Sequence, residues 1–238
     1  MLDWGPFTLV DCSEPARWLL TALERPWSRQ PDANYVAAVV PRGFGAYARL
    51  FHPAYLDTKP ISWSLVAELS GRFSHALMQW HSISVFPANH PLFSRLQPPL
   101  LGQLPQGEAQ RLVSILKKHT KTPAHCYFAL WDGWGISALE HIAKGAVHFQ
   151  LAYRGYYLLQ GSLESIGANP HVSWLANLWW PEDRAWCVAT EVDQMCTYIG
   201  GTTGCIQEIL DDPQLEVWPA ALDQRVDYGS DQINHSEG

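Results

Sequence analysis

Three consecutive charged residues, Glu182, Asp183 and Arg184, are the densest group of side chains that could carry out chemistry. A carboxylate whose pKa is raised by burial beside an arginine can act as a general acid or base. Glu191 and Asp193 are two residues apart, share one strand face, and could add ligands for a divalent cation. Cation sites draw on more oxygens than this, so we predict no metal and no cofactor. We favour a structural turn in which Arg184 forms a salt bridge with Glu191 or Asp193.

Tryptophan is unusually abundant, with twelve in the chain. Each supplies a large apolar area and one hydrogen-bond donor that needs a partner when it is buried. Trp131 and Trp186 fall in predicted strands, and we expect them in the core. Trp134, Trp179 and Trp180 fall in predicted turns, where aromatic rings can stack on a sugar, a peptide or a base. For Trp179 and Trp180, a ligand or partner surface and a lid over the core both remain open.

Other reactive residues are better explained by structure than by catalysis. The segment 200–204 (Gly-Gly-Thr-Thr-Gly) begins a predicted helix, but no lysine follows it as a phosphate-binding loop requires. Thr202 or Thr203 is expected to cap that helix. His125 and Cys126 are consecutive in a strand, so they face opposite sides and cannot form a nucleophile–base pair. The sequence therefore contains no complete catalytic, metal or nucleotide-binding motif.

Charge is divided unevenly along the chain. Residues 1–130 contain twelve Lys and Arg against eight Asp and Glu, a net charge of +4. Residues 131–238 contain four against fifteen, a net charge of −11, and the two parts sum to −7. Nucleic-acid binding needs a basic surface, so we expect no nucleic-acid partner. A hydrophobic share of 47% with only 16% charged residues indicates a substantial core.

The composition predicts a protein of the cytoplasm. Residues 1–6 lack the basic and apolar regions of a signal peptide. The longest apolar runs, such as 36–40, are far shorter than the roughly 20 residues of a membrane helix, so we expect no membrane partner. Five cysteines, an odd number without a CxxC pair, indicate buried free thiols in a reducing compartment.

The elements that must position these residues follow from hydrophobic periodicity and from turn residues. Strands are predicted from short apolar or alternating runs, at 35–41, 46–52, 125–131, 155–161, 185–192, 197–200 and 215–218. Helices are predicted from apolar stripes and caps, between Ser13 and Pro26 and over 63–69 (capped by Ser62), 106–119, 136–150 (interrupted at Gly145) and 205–210. The first two strands are expected to pair as a hairpin, as are 185–192 and 197–200. Residues 177–181 are predicted to be a loop, because Pro181 blocks helix and ladder alike.

Together these elements predict an α+β fold. It would be one compact domain with a mixed or mostly antiparallel sheet of about six or seven short strands and about four or five helices. Residues 1–33 would form an N-terminal helix and arm, and residues 34–220 the single α+β domain. Residues 221–238 would form a polar, disordered tail.

Four parts of the chain form a recognisable set: 47–54 (YARLFHPA), 119–123 with 126–135 (HTKTP and CYFALWDGWG), 177–193 (NLWWPEDRAWCVATEVD) and 197–201 (TYIGG). Together they resemble an uncharacterised family of bacterial proteins that is common in actinobacteria. The resemblance covers residues 34–220 and implies a cytoplasmic bacterial protein, but it brings no activity. The strand–turn–helix ending is similar to that of SUKH-type immunity and scaffold proteins, which implies an interaction with another protein.

The leading functional hypothesis is a non-catalytic binding or interaction protein whose partner is another protein or a small molecule. Its acidic, tryptophan-rich surface would consist of Trp134, Trp179, Trp180, Glu182, Asp183 and Arg184. An immunity-like protein that neutralises a basic toxin by charge complementarity is one form of this hypothesis.

Two alternatives remain open. One is a hydrolase that uses Asp183, Glu191 or Asp193 in a tryptophan-lined cleft. A pocket that holds Glu182 and Asp183 together with a histidine, His119 or His52, would favour that reading. The other is a structural protein without a ligand.

Overall fold

A computed structural model describes residues 7–24, 34–135, 145–151, 154–168 and 176–234 of the chain. Within these ranges the chain forms twelve β-strands, divided between a nine-stranded and a three-stranded sheet, and six α-helices. The predicted α+β fold, with one sheet of about six or seven strands, is therefore wrong. The sequence pattern underestimates the sheet because strands as short as two residues leave no readable periodicity.

The strands occupy Thr8–Leu9 (β1), Ala46–Phe51 (β2), Ala54–Leu56 (β3), Lys59–Ile61 (β4), Leu96–Gln97 (β5), Cys126–Trp131 (β6), His148–Leu151 (β7), Arg154–Gly161 (β8), Ala176–Pro181 (β9), Cys187–Ala189 (β10), Cys196–Gly201 (β11) and Val217–Ala220 (β12). The large sheet has the order β1-β8-β6-β9-β10-β11-β2-β12, and β7 also pairs with β8. The small sheet has the order β4-β3-β5. Every described pairing is antiparallel.

The α-helices occupy Leu19–Ala22 (α1), Trp63–Leu69 (α2), Trp80–Ile83 (α3), Gln106–Leu116 (α4), Leu163–Ala168 (α5) and Thr203–Leu210 (α6). Short 3-10 helices occupy Glu14–Ala16, Val36–Ala38, Lys117–His119, Asp132–Trp134 and Tyr228–Ser230. In the described ranges, no helix is both long enough and apolar enough to cross a membrane.

The large sheet is covered on both faces, which gives the protein two hydrophobic cores. One core lies beneath α4, α5 and α6 and includes Leu112 and Ile206. The other lies beneath the N-terminal segment, α2 and α3 and includes Leu19 and Trp63. Central strands β9 and β11 are buried at all six of their residues. A strand buried on both faces shows a continuous apolar run instead of an alternating pattern, which makes it hard to recognise from sequence.

The starts of α2 and α6 agree with the sequence, whereas the segment after Ser13 forms a 3-10 helix without a side-chain cap, followed by the short helix α1. At α2, Ser62 Oγ accepts a hydrogen bond of 3.1 Å from Leu65 N, as expected of a cap. At α6 the cap is Thr202, whose Oγ1 accepts from Cys205 N at 3.2 Å. The predicted helix over 106–119 is present as α4 followed by a 3-10 turn.

Other elements differ from the predictions. Residues 177–181 belong to β9, because Pro181 is the last residue of the strand, where a missing N–H interrupts no central part of the ladder. The apolar run at 35–41 contains a 3-10 helix, since so short a run does not distinguish helix from strand. Consequently β2 pairs with β11 and β12 instead of forming a hairpin with that run.

The structure also bears on the predictions for residues 136–150 and for the C-terminal tail. Of the helix predicted over 136–150, residues 136–144 lie outside the described residues, and β7 begins at His148. The sequence predicts a disordered tail from residue 221, whereas Asp231 and Asn234 are buried. Asp231 accepts hydrogen bonds from Gln79 N at 3.1 Å and from Asn234 N at 2.9 Å, and it pairs with His75 Nε2 at 2.9 Å. These contacts hold the end of the described chain against the region around α3.

All five cysteines are free thiols, and four of them are buried, while Cys12 is exposed. Burial raises the pKa of Cys126 to about 12 and also raises the pKa of Cys187. These two thiols therefore stay protonated and act as small apolar core residues.

Candidate functional site

A cavity of about 140 Å³ lies between the large sheet and the N-terminal segment. Its walls come from distant parts of the chain: residues 19, 20 and 23, residues 38–39, residues 151, 154 and 156, residues 177–178 and residues 189–191. An apolar cavity of comparable size can hold a benzene-sized ligand. The cavity therefore has the dimensions of a small-molecule site.

Most of the wall is apolar and comes from Leu19, Leu20, Leu23, Ala38, Val39, Leu151, Leu178 and Ala189. Leu178 and Ala189 are direct partners across β9 and β10, so their side chains share the sheet face that forms the floor. Leu20 is 59% exposed, so the cavity reaches the protein surface beside α1. A ligand can enter there without crossing the core.

A charged cluster forms the polar end of the cavity. Arg154 Nη2 donates to Asp193 Oδ2 at 2.6 Å, and the same nitrogen also contacts Glu191 Oε1. The guanidinium lies 5.4 Å from the centre of the Trp131 ring, which adds a cation–π contact. Arg154 and Glu191 line the cavity, whereas Asp193 is 65% exposed at its outer side.

Glu191 has an altered acidity. Its side chain is only 8% exposed, and this burial raises the pKa of its carboxyl, although the positive charge of Arg154 opposes the rise. A buried carboxylate with a charged partner in a cavity is a feature of many functional sites, and it also occurs in structural ion pairs.

One hydrogen-bond donor of a cavity-lining residue has no partner among the described residues. Arg154 Nε is buried and unpaired, because the two carboxylates share Nη2. Tyr156 also lines the cavity, is 6% exposed and carries a hydroxyl that can donate a hydrogen bond. Burial raises the pKa of Tyr156, and the negative charge of Glu191 raises it further, while the positive charge of Arg154 opposes the rise.

Asn177 fixes the shape of the cavity beside this cluster. Its Oδ1 accepts hydrogen bonds from Trp131 N at 3.0 Å and from Trp134 Nε1 at 3.2 Å. Its Nδ2 donates to Thr190 O at 3.0 Å. All of these bonds are internal, so Asn177 serves as a structural brace between β6, β9 and the segment after β10.

A buried polar chain runs behind the cavity. Thr190 Oγ1 lies 2.7 Å from Thr197 Oγ1, which in turn lies 2.8 Å from His52 Nε2. Burial lowers the pKa of His52 to about 3, so its ring is neutral at physiological pH. Thr190 is the member of this chain that lines the cavity.

The three tryptophans predicted to form a binding surface do not do so together. Trp179 and Trp180 are fully buried, one in each hydrophobic core of the sheet. Trp134 is half-buried and packs against Trp131 with ring centres 5.7 Å apart. The proposed surface therefore lacks its two central aromatic residues, because residues 177–181 are a central strand and not an exposed turn.

The predicted charged group at 182–184 forms a surface turn. Asp183 Oδ1 accepts from Thr120 Oγ1 at 2.8 Å, and its Oδ2 accepts from Lys121 N at 2.7 Å. Arg184 lies 5.4 Å from the Trp18 ring and does not pair with Glu191 or Asp193. The structural interpretation of this group is supported, but the predicted salt bridge is wrong, since Arg154 occupies both carboxylates.

Glu182 is exposed, and neither it nor Asp183 or Arg184 lines the cavity. Across the described residues, no group of three or more His, Cys, Asp or Glu side chains could hold a metal ion. The cavity residues Arg154, Tyr156 and Asn177 were not singled out from the sequence. The available signal is the scarcity of arginine in the second half, where Arg154 is one of only three arginines in residues 131–238.

Comparison of the chain with protein-family models, with curated proteins and with solved structures gives no significant match.

Proposed function

We propose that the protein binds a small, largely apolar molecule in the cavity between its large sheet and α1. The observation that carries this proposal is the presence, in one cavity, of apolar walls and a buried charged cluster at one end. Small-molecule sites have this composition, because the apolar lining supplies affinity and a few polar groups orient the ligand.

This proposal agrees with the binding protein expected from the sequence, but it places the binding site in the cavity and not at the predicted surface. The burial of Trp179 and Trp180 argues against an aromatic partner surface at 177–184. The cavity lies on the face of the sheet that carries Trp180, and its floor is formed by neighbouring residues of the same strands. The segment that looked functional in the sequence thus supports the site from within the core.

A hydrolase is the second candidate, because Glu191 has a raised pKa and lines the same cavity. The arrangement supports it less well. Glu191 is held by Arg154, and none of the four residues expected in a hydrolytic pocket lines the cavity: Glu182, Asp183, His119 and His52. His119 instead pairs with Glu208 on the far side of the sheet, at 2.8 Å.

Toluene is a suitable first probe, since its size matches the cavity and it needs no polar partner. We expect toluene to raise the thermal midpoint of unfolding, because a ligand that binds only the folded state stabilises it. Leu20→Trp should abolish this rise by filling the entrance. Leu65→Trp is the matched control, since Leu65 is also an exposed leucine on a helix but does not line the cavity.

Two results would overturn the proposal. One is an unchanged midpoint up to the solubility limit of toluene. The other is an equal rise in the wild type and in Leu20→Trp, which would place the bound toluene elsewhere.

A further inference from the structure

We propose that the polar end of the cavity recognises a neutral hydrogen-bond acceptor, a carbonyl oxygen, attached to the apolar body of the ligand. This inference rests on the proposed function, since it names the chemical class of the molecule bound in that same cavity.

The first argument is the type of the polar groups at this end of the cavity. Arg154 Nε is a buried N–H that can only donate, and no described residue accepts a hydrogen bond from it. Tyr156, whose hydroxyl can also donate, lines the same cavity. A buried donor without a partner is costly, so a ligand that supplies an acceptor gains the energy otherwise lost there. The polar end is therefore complementary to an oxygen acceptor.

The second argument is the charge of the cluster. Arg154 contributes one positive charge, whereas Glu191 and Asp193 both contact its Nη2 and together supply two carboxylates. Among the described residues that line the cavity, no surplus positive charge remains at this end. A carboxylate or phosphate on the ligand would face two carboxylates, so electrostatic repulsion selects a neutral acceptor.

The third argument is the position of the donors relative to the apolar floor. Arg154 and Tyr156 are two residues apart in β8, so their side chains are on the same face of the sheet. Leu151 is the cross-strand partner of Arg154 in β7 and lines the same cavity. An aromatic or aliphatic body resting on Leu178 and Ala189 would thus direct a short polar group toward these donors.

Three probes test this inference: acetophenone, 2-phenylpropene and benzoate. The first two have nearly the same shape and differ by a carbonyl oxygen in place of a methylene group, and benzoate replaces the neutral acceptor with an anion. We expect titration by NMR to show acetophenone binding about three- to tenfold more tightly than 2-phenylpropene, the usual effect of one net hydrogen bond. Benzoate should bind more weakly than acetophenone.

Tyr156→Phe should reduce the preference for acetophenone and leave the affinity for 2-phenylpropene unchanged. Tyr157→Phe is the matched control, because Tyr157 is the next residue of β8 and faces the opposite core. It should leave both affinities unchanged. Equal binding of acetophenone and 2-phenylpropene to the wild-type protein would overturn the inference even if Tyr156→Phe failed to fold.

The remaining outcomes separate this inference from the proposed function. Tighter binding of benzoate than of acetophenone would overturn the inference of a neutral acceptor but would support the proposed binding site. Binding of toluene and 2-phenylpropene without a preference for acetophenone would overturn the inference alone. Failure of all the neutral probes to bind would overturn the proposed function as well.

Discussion

Trp179 and Trp180 are consecutive in the chain, and their side chains are buried in opposite cores of the same sheet. Trp179 stacks on Phe128 with ring centres 6.5 Å apart, and Trp180 stacks on Tyr127 with ring centres 5.9 Å apart. Because successive side chains of a strand point to opposite faces, β9 contributes one tryptophan to the core on each face of the sheet. Each tryptophan is therefore a structural residue of its own core.

Truncation of either tryptophan should destabilise the protein strongly. We expect Trp179→Ala and Trp180→Ala each to lower the free energy of unfolding by about 3–5 kcal/mol, as for other large core residues. Trp134→Ala should cost less, since Trp134 is only half-buried. Urea unfolding at neutral pH would measure all three variants. A wild-type midpoint for Trp179→Ala would contradict its burial.

A second prediction concerns the hydrogen bonding of the indole nitrogens of two buried tryptophans. Trp186 Nε1 donates to Leu116 O at 3.1 Å, whereas Trp179 Nε1 is buried and has no partner among the residues that the structure describes. Trp186→Phe removes a satisfied hydrogen bond, and Trp179→Phe removes an unsatisfied donor. Since both rings lie in the same core, Trp186→Phe should destabilise by about 1–3 kcal/mol more than Trp179→Phe. Chemical denaturation of the two variants under identical conditions would show whether the difference has this sign.

His52 should make the protein sensitive to acid. Its pKa is about 3 in the folded protein because of burial, against about 6.5 in the unfolded chain, so between these pH values the unfolded state binds more protons. The free energy of unfolding therefore decreases as the pH falls through this window. Between pH 7.5 and pH 5, His52 alone should lower it by about 2 kcal/mol. His52→Gln should flatten this part of the stability–pH curve, whereas His125→Gln, at an exposed histidine, should not.

Glu191 should have an effect of the opposite sign. Burial raises the pKa of its carboxyl in the folded state, so the folded state binds the proton more readily than the unfolded chain does. The stability that this group contributes is complete below the unfolded pKa and declines as the pH rises through the folded pKa. Glu191→Gln should remove that decline, and unfolding at pH 5 and pH 8 would measure it. Glu182→Gln, at an exposed carboxylate, serves as the control, and an identical slope in both variants would refute the assignment.

Local signals in the sequence were sufficient for elements whose structure depends on neighbouring residues. The helix at α4, the cap at Ser62 and the pairing of β10 with β11 follow from stripes, caps and turn residues. The strand at 176–181 was missed because burial on both faces removes alternation and because Pro181 at its end resembles a strand breaker.

The candidate site depends on pairings that a single sequence does not reveal. The sequence points to Glu191, but its partner Arg154 is 37 residues away. The two residues come together because β8, β6, β9 and β10 lie side by side in the sheet. The same separation explains why the sequence favours Arg184, a near neighbour, as the partner of Glu191, although the partner in the structure is Arg154. Tyr156 cannot be recognised as a site residue from the sequence, since tyrosine is common in β-strands.

The order of the large sheet also bears on how the protein could associate with other chains. An exposed edge strand offers unpaired N–H and C=O groups to which a strand from another molecule can add. At one edge β12 contains Pro219, which has no N–H, and at the other edge β8 is shared between β1 and β7, of two and four residues. Neither edge of the described sheet offers an uninterrupted row of donors and acceptors, so the architecture opposes strand addition and fibre growth despite its width.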